Sequence, residues 1–78
     1  MTKIEILGTG CAKCKRLFAN AEQAVKDAKI TADVIKVDNL DEIVERGVML
    51  TPALFINGEL VAEGRVPCVE EIVTMLKE

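Results

Sequence analysis

Two of the three cysteines, Cys11 and Cys14, stand three residues apart in the stretch Gly8-Thr9-Gly10-Cys11-Ala12-Lys13-Cys14. The third, Cys68, lies near the far end of the chain. There is no histidine. That removes the commonest general base and every mixed Cys/His zinc pattern. The chemistry left to a Cys-x-x-Cys pair is that of sulfur itself. The pair can exchange with disulfides, or two thiolates can hold a soft metal such as Cu(I). A structural role is poor, because closing so short a loop restrains the unfolded chain little.

A thiolate, not a thiol, attacks a disulfide. An apolar, β-branched run, Lys3-Ile4-Glu5-Ile6-Leu7, ends at Gly8, and a helical pattern begins after Gly10. Cys11 is thus expected at a helix start, where unpaired amides and the helix dipole favour an anion. Lys13, Lys15 and Arg16 put three cations in the first turn, against the dipole, at a cost of about 0.3–1 kcal/mol or less each. The same cations would stabilise a Cys11 thiolate. Cys14 belongs to an apolar stripe with Leu17, Phe18, Ala21, Val25 and Ala28, and burial disfavours a charged sulfur. The pair reads as asymmetric, with Cys11 attacking and Cys14 resolving.

The rest of the chain must hold this junction. Ala32–Val37 reads as a second strand, parallel to the first through a right-handed crossover. Asn39 caps a second helix, with Glu42 at the capping-box position, Leu40, Ile43 and Val44 as a narrow apolar face, and Gly47 ending it. Thr51-Pro52 leads into a third strand, Ala53–Ile56. Asn57-Gly58 signals a hairpin to a fourth, Glu59–Ala62. Pro67 fits the first turn of a last helix, whose buried stripe is Val69, Ile72, Val73 and Leu76.

With these motifs in hand the chain resembles the thioredoxin/glutaredoxin superfamily. More narrowly, it resembles the minimal archaeal and bacterial redox-active disulfide proteins. The residues that carry the resemblance are Cys11-Ala12-Lys13-Cys14 after the first strand, Thr51-Pro52 before the third, and Gly64-Arg65-Val66-Pro67 before the last helix. The resemblance covers the whole chain. It implies an α/β, thioredoxin-like fold, βαβ-α-ββ-α. The sheet is mixed and four-stranded, in the order 2-1-3-4, with the first and third of three helices on one face. It also implies a cis Pro52, with the Thr51 backbone pairing with an extended substrate. Thioredoxins carry a buried acid six residues before the first cysteine, where this chain has Glu5; here a partly solvated strand glutamate is expected. The Gly-Gly step with which glutaredoxins hold glutathione is replaced by Gly64-Arg65, which tells against glutathione binding. Cys68 is expected on the substrate-facing rim but outside the catalytic disulfide, with a small buried hydrophobe as its simplest role.

Composition narrows the partners. The 78 residues are 50% hydrophobic with a net charge of −3 and two aromatic residues. That is one domain, residues 1–78, with an aliphatic core, no stacking platform and no basic block for nucleic acid. No apolar run reaches the roughly 20 residues of a membrane span, and no basic segment followed by an apolar run opens the chain, so no signal peptide is expected. A cytoplasmic monomer is expected, without metal or cofactor. It would reduce disulfide-containing protein substrates and be recharged by a reductase. The competing reading, a soft-metal carrier, would need a βαββαβ chain ending in a strand.

Overall fold

A computed structural model describes residues 2–10 and 12–77. Seven elements follow one another: β1 (Thr2–Leu7), α1 (Ala12–Ala28), β2 (Ala32–Val37), α2 (Leu40–Glu45), β3 (Ala53–Ile56), β4 (Glu59–Glu63) and α3 (Val69–Lys77). The sheet order is β2-β1-β3-β4. β1 is parallel to β2 and antiparallel to β3, and β4 returns antiparallel to β3. A helix, α2, stands between β2 and β3, where a βαββαβ chain would run directly from strand to strand.

Alternation along β1 divides the core in two. Ile4 and Ile6 face α1 and α3, and meet Leu17, Ala21, Ala24, Leu54 and Ile72 in one aliphatic cluster. Each large aliphatic side chain fully buried there contributes about 1.5–3 kcal/mol. Leu7 faces the other way, with Val37, Ile43, Val48, Ala53 and Phe55. α1 buries Cys14, Leu17, Ala21 and Ala24. Phe18 and Val25 flank that stripe, only partly buried, so its centre lies nearer Ala24 than the sequence pattern indicates.

α2 departs further from expectation. Its Asn39 cap is in place, with the side-chain Oδ1 accepting from the Glu42 amide at 3.1 Å. Gly47, at φ +76°, ends it. The Gly47 amide donates to the Val44 carbonyl and the Val48 amide to the Ile43 carbonyl. Those two bonds are the Schellman pattern. However, a six-residue helix points few side chains at a sheet. Only Ile43 is buried, while Leu40 is 63% and Val44 65% exposed. The Glu42 carboxylate lies near Arg46 rather than completing a capping box.

Two features set the β3–β4 hairpin. Asn57 and Gly58 both have positive φ, as a two-residue type I′ turn requires. The Asn57 amide and Oδ1 also bond the Lys3 backbone, at 2.8 and 2.9 Å, which ties the turn to β1. Further along, Phe55 pairs with Leu60 but Leu54 pairs with Ala62, so Val61 is the extra residue of a bulge.

Candidate active site

β1 runs into Gly8, whose amide donates to the Val37 carbonyl at 2.9 Å and so extends the ladder by one bond. Thr9 and Gly10 then turn the chain, Gly10 at φ +88°, where a side chain would be strained. α1 starts at Ala12. Cys11, the expected nucleophile, lies outside the described residues.

Cys14 is the third residue of α1 and is 1% exposed. It packs directly on Gly8. A Cβ placed at Gly8 would overlap the Cys14 Sγ, and the same point lies 3.9 Å from the Pro52 Cα. The missing side chain at Gly8 is therefore what lets the end of β1, the Cys14 sulfur and Pro52 converge. At that depth a charged sulfur is costly, which suits a thiol held in reserve.

Thr51-Pro52 stands across from the cysteine end of α1. Its peptide bond is cis. Pro52 is buried and Thr51 exposed. Thr51 makes no backbone hydrogen bond among the described residues. Around it the chain is well anchored. The Pro52 carbonyl accepts from the Gly64 amide at 2.9 Å. One oxygen of Glu63 accepts from the Met49 amide at 2.8 Å and the Leu50 amide at 3.3 Å. Lys13, Lys15 and Arg16 are all exposed on the first two turns of α1, which carries no acid in its first turn.

Glu5 overturns its expectation. It is 4% exposed rather than solvated. Arg46 grips both carboxylate oxygens, at 3.0 and 2.6 Å, and stacks over the Phe55 ring with its guanidinium carbon 5.4 Å from the centroid. Hydrogen bonds and charge from Arg46, with a smaller effect of Lys3, hold the Glu5 carboxyl below the usual range despite burial. A carboxylate so paired is a weak proton acceptor. Its evident work is to close the thin α2 face of the sheet, which apolar side chains leave open.

Cys68 is exposed, so the buried-hydrophobe role is excluded. It precedes α3 instead of lying in its first turn. Its carbonyl accepts from the Ile72 amide at 3.1 Å, so it takes the N-cap position. Arg65, 3.0 Å away, holds the Glu71 carboxyl below its usual range, with smaller effects in the same direction from the Cys68 amide and thiol. The preceding carbonyl, of Pro67, accepts from Asn20 Nδ2 at 3.0 Å. Asn20 follows Cys14 by six positions, roughly 9 Å along the helix axis.

Sequence reasoning missed Arg46 and Glu63. Arg46 sits at the end of a short helix with no pattern to mark it. Glu63 is hidden by the bulge, because a two-residue hairpin counted outward from Asn57-Gly58 would set Ala62, not Glu63, opposite Ala53.

Comparison with known proteins agrees with this geometry. The family model described as a thioredoxin domain matches residues 2–77. A protein named thioredoxin from Methanothermobacter thermautotrophicus is 46% identical over 97% of this chain and 99% of its own length. Another of that name, from Methanocaldococcus jannaschii, is 42% identical over 99% of this chain and 88% of its own. Among solved structures, thioredoxin-2 of the malaria parasite superposes with a TM-score of 0.77 at 14% identity, over 99% of this chain and 82% of that one.

Proposed function

Since the chain belongs to the thioredoxin-domain family, we propose that it reduces protein disulfides with Cys11 as the attacking thiol and Cys14 as the resolving thiol. It is a thiol–disulfide oxidoreductase, as its near-full-length thioredoxin relatives establish. The observation that carries the division of labour is the burial of Cys14 under Gly8, beside Pro52.

The Cys11 thiolate attacks one sulfur of a substrate disulfide. A mixed disulfide forms, and the other substrate sulfur leaves as a thiolate that takes up a proton. Cys14 then loses its proton and attacks the Cys11 sulfur, releasing the second substrate thiolate. The substrate gains two electrons and two protons, and the protein is left with a Cys11–Cys14 disulfide for a reductase to reopen. Lys13, Lys15 and Arg16 favour the Cys11 thiolate. The Thr51 backbone, which makes no hydrogen bond among the described residues, takes the extended substrate as an added strand would. Cys68 stays out of the exchange, in keeping with the anchoring of Pro67 to Asn20, well along α1 from Cys14. A reducing, cytoplasmic setting and a monomeric state suit this direction of electron flow.

Trapping tests the assignment. Cys14→Ser should accumulate mixed disulfides with protein substrates through Cys11, and Cys11→Ser should accumulate none. Equal trapping by both variants, or trapping by Cys11→Ser alone, would reverse or abolish the division of roles.

A further inference from the structure

The segment before β3 has an unusual support. Val48 and Pro52 are buried, but Met49 between them is 89% exposed and Leu50 62%. Side-chain burial therefore does little to hold the middle of this segment. Its restraint comes from the end of β4. One Glu63 oxygen accepts two successive amides, those of Met49 and Leu50. The next residue, Gly64, donates to the Pro52 carbonyl. Gly64 also offers the space against which Leu50 rests, since a Cβ there would come within 3.0 Å of the Leu50 Cβ. The bulge at Val61 makes this possible, by bringing Glu63 opposite Ala53, the first residue of β3.

We propose that Glu63 is a positioning residue for substrate capture. Its carboxylate clamps the Met49 and Leu50 amides, so that the Thr51 backbone is presented in one fixed geometry. Glu63 touches neither thiol chemistry nor substrate. It acts through the 49–52 segment, by removing conformations that would otherwise have to be frozen out on binding. The inference rests on Thr51 as the substrate-pairing edge and deepens that reading.

An acceptor of this length bonded to two amides is needed, so the side chain can be graded. Glu63→Ala removes the clamp, while Glu63→Gln keeps a neutral acceptor of the same length. Two disulfide substrates separate positioning from chemistry. Insulin presents a peptide backbone beside its disulfides, whereas 5,5′-dithiobis(2-nitrobenzoate) has none to pair.

For Glu63→Ala, kcat/KM on insulin should fall about tenfold, the scale of one charge-assisted hydrogen bond, chiefly through KM. The rate with the small disulfide should stay within about twofold of the wild type, a change of well under one charge-assisted hydrogen bond. Amide exchange at Met49 and Leu50 should quicken, and Glu63→Gln should recover most of the loss. Insulin kinetics unchanged in Glu63→Ala, or an equal fall with both substrates, would overturn the proposal and leave the proposed function standing. Failure of the wild type itself to reduce insulin would instead sink the reading of Thr51, and this proposal with it.

Discussion

Replacing Arg46 by methionine probes the closure of the α2 face. The substitution keeps a long side chain over Phe55 but strands the Glu5 carboxylate at 4% exposure. Removing one partner of a buried pair costs about 3–5 kcal/mol. The Arg46 side chain is 28% exposed, so some water reaches the pair, and the lower end, about 3 kcal/mol, is expected at pH 7. A chain of this length has roughly 4–12 kcal/mol of stability in all. The pH dependence makes the test sharp. In the wild type Arg46 depresses the folded value of Glu5. The pair's contribution is therefore complete above the unfolded glutamate value of about 4.3, and is lost as pH falls through the depressed folded value. In Arg46→Met burial outweighs the remaining smaller effect of Lys3, and it raises the folded value. The variant then loses stability as pH climbs from about 4.3 through that raised value. The gap between the two proteins should be widest at neutral pH. At acid pH, below the depressed folded value, it should shrink to about 1 kcal/mol, the scale of the lost cation–ring contact. Urea unfolding followed by far-UV circular dichroism serves, since the chain has no Trp or Tyr to report by fluorescence. Adding Glu5→Leu to Arg46→Met should recover most of the loss at pH 7. An equal cost at both pH values would refute the argument, because it would mean that packing, not an uncompensated charge, is what was lost.

Three further outcomes are expected. Gly8→Ala should destabilise by about 1–3 kcal/mol through overlap with the Cys14 sulfur, and slow resolution of the mixed disulfide more than its formation in stopped-flow exchange. Lys29 sits at φ +56° where α1 ends, with the Lys29 and Ile30 amides bonded back to Lys26 and Val25. Lys29→Gly should therefore raise the unfolding free energy by about 0.5–1 kcal/mol in a denaturant melt. Cys68→Ser supplies a better N-cap, so thermal unfolding should show a gain of up to about 1 kcal/mol with insulin reduction unchanged.

What the sequence made legible was local. Strand β1 ends at a glycine, Asn39 stands before a helix, and Asn57-Gly58 has room for only one tight turn. Each acts within a few residues of itself, and each stands where its chemistry demands. Cys14 was legible because a stripe at helical spacing includes it. What escaped depended on partners far apart in the chain. Glu5 looked like a strand acid because Arg46, 41 residues on, carries no local sign of its destination. Leu40 and Val44 looked buried because spacing says which residues share a face, not whether six residues can bring that face to the sheet. Cys68 looked apolar because its spacing to Ile72 fits a helix stripe, yet α3 begins one residue later.

The bulge at Val61 also bears on how the sheet ends. β4 is an outer strand, and such a strand offers a row of unpaired amides and carbonyls to any other chain. Here the row is broken within five residues, and its ends carry Glu59 and Glu63. A strand from another molecule would have to follow the kink and desolvate or repel those carboxylates. On the opposite edge, β2 exposes Asp33 and Lys36. A sheet whose two outer strands are guarded in this way is a poor template for the aggregation of other extended chains.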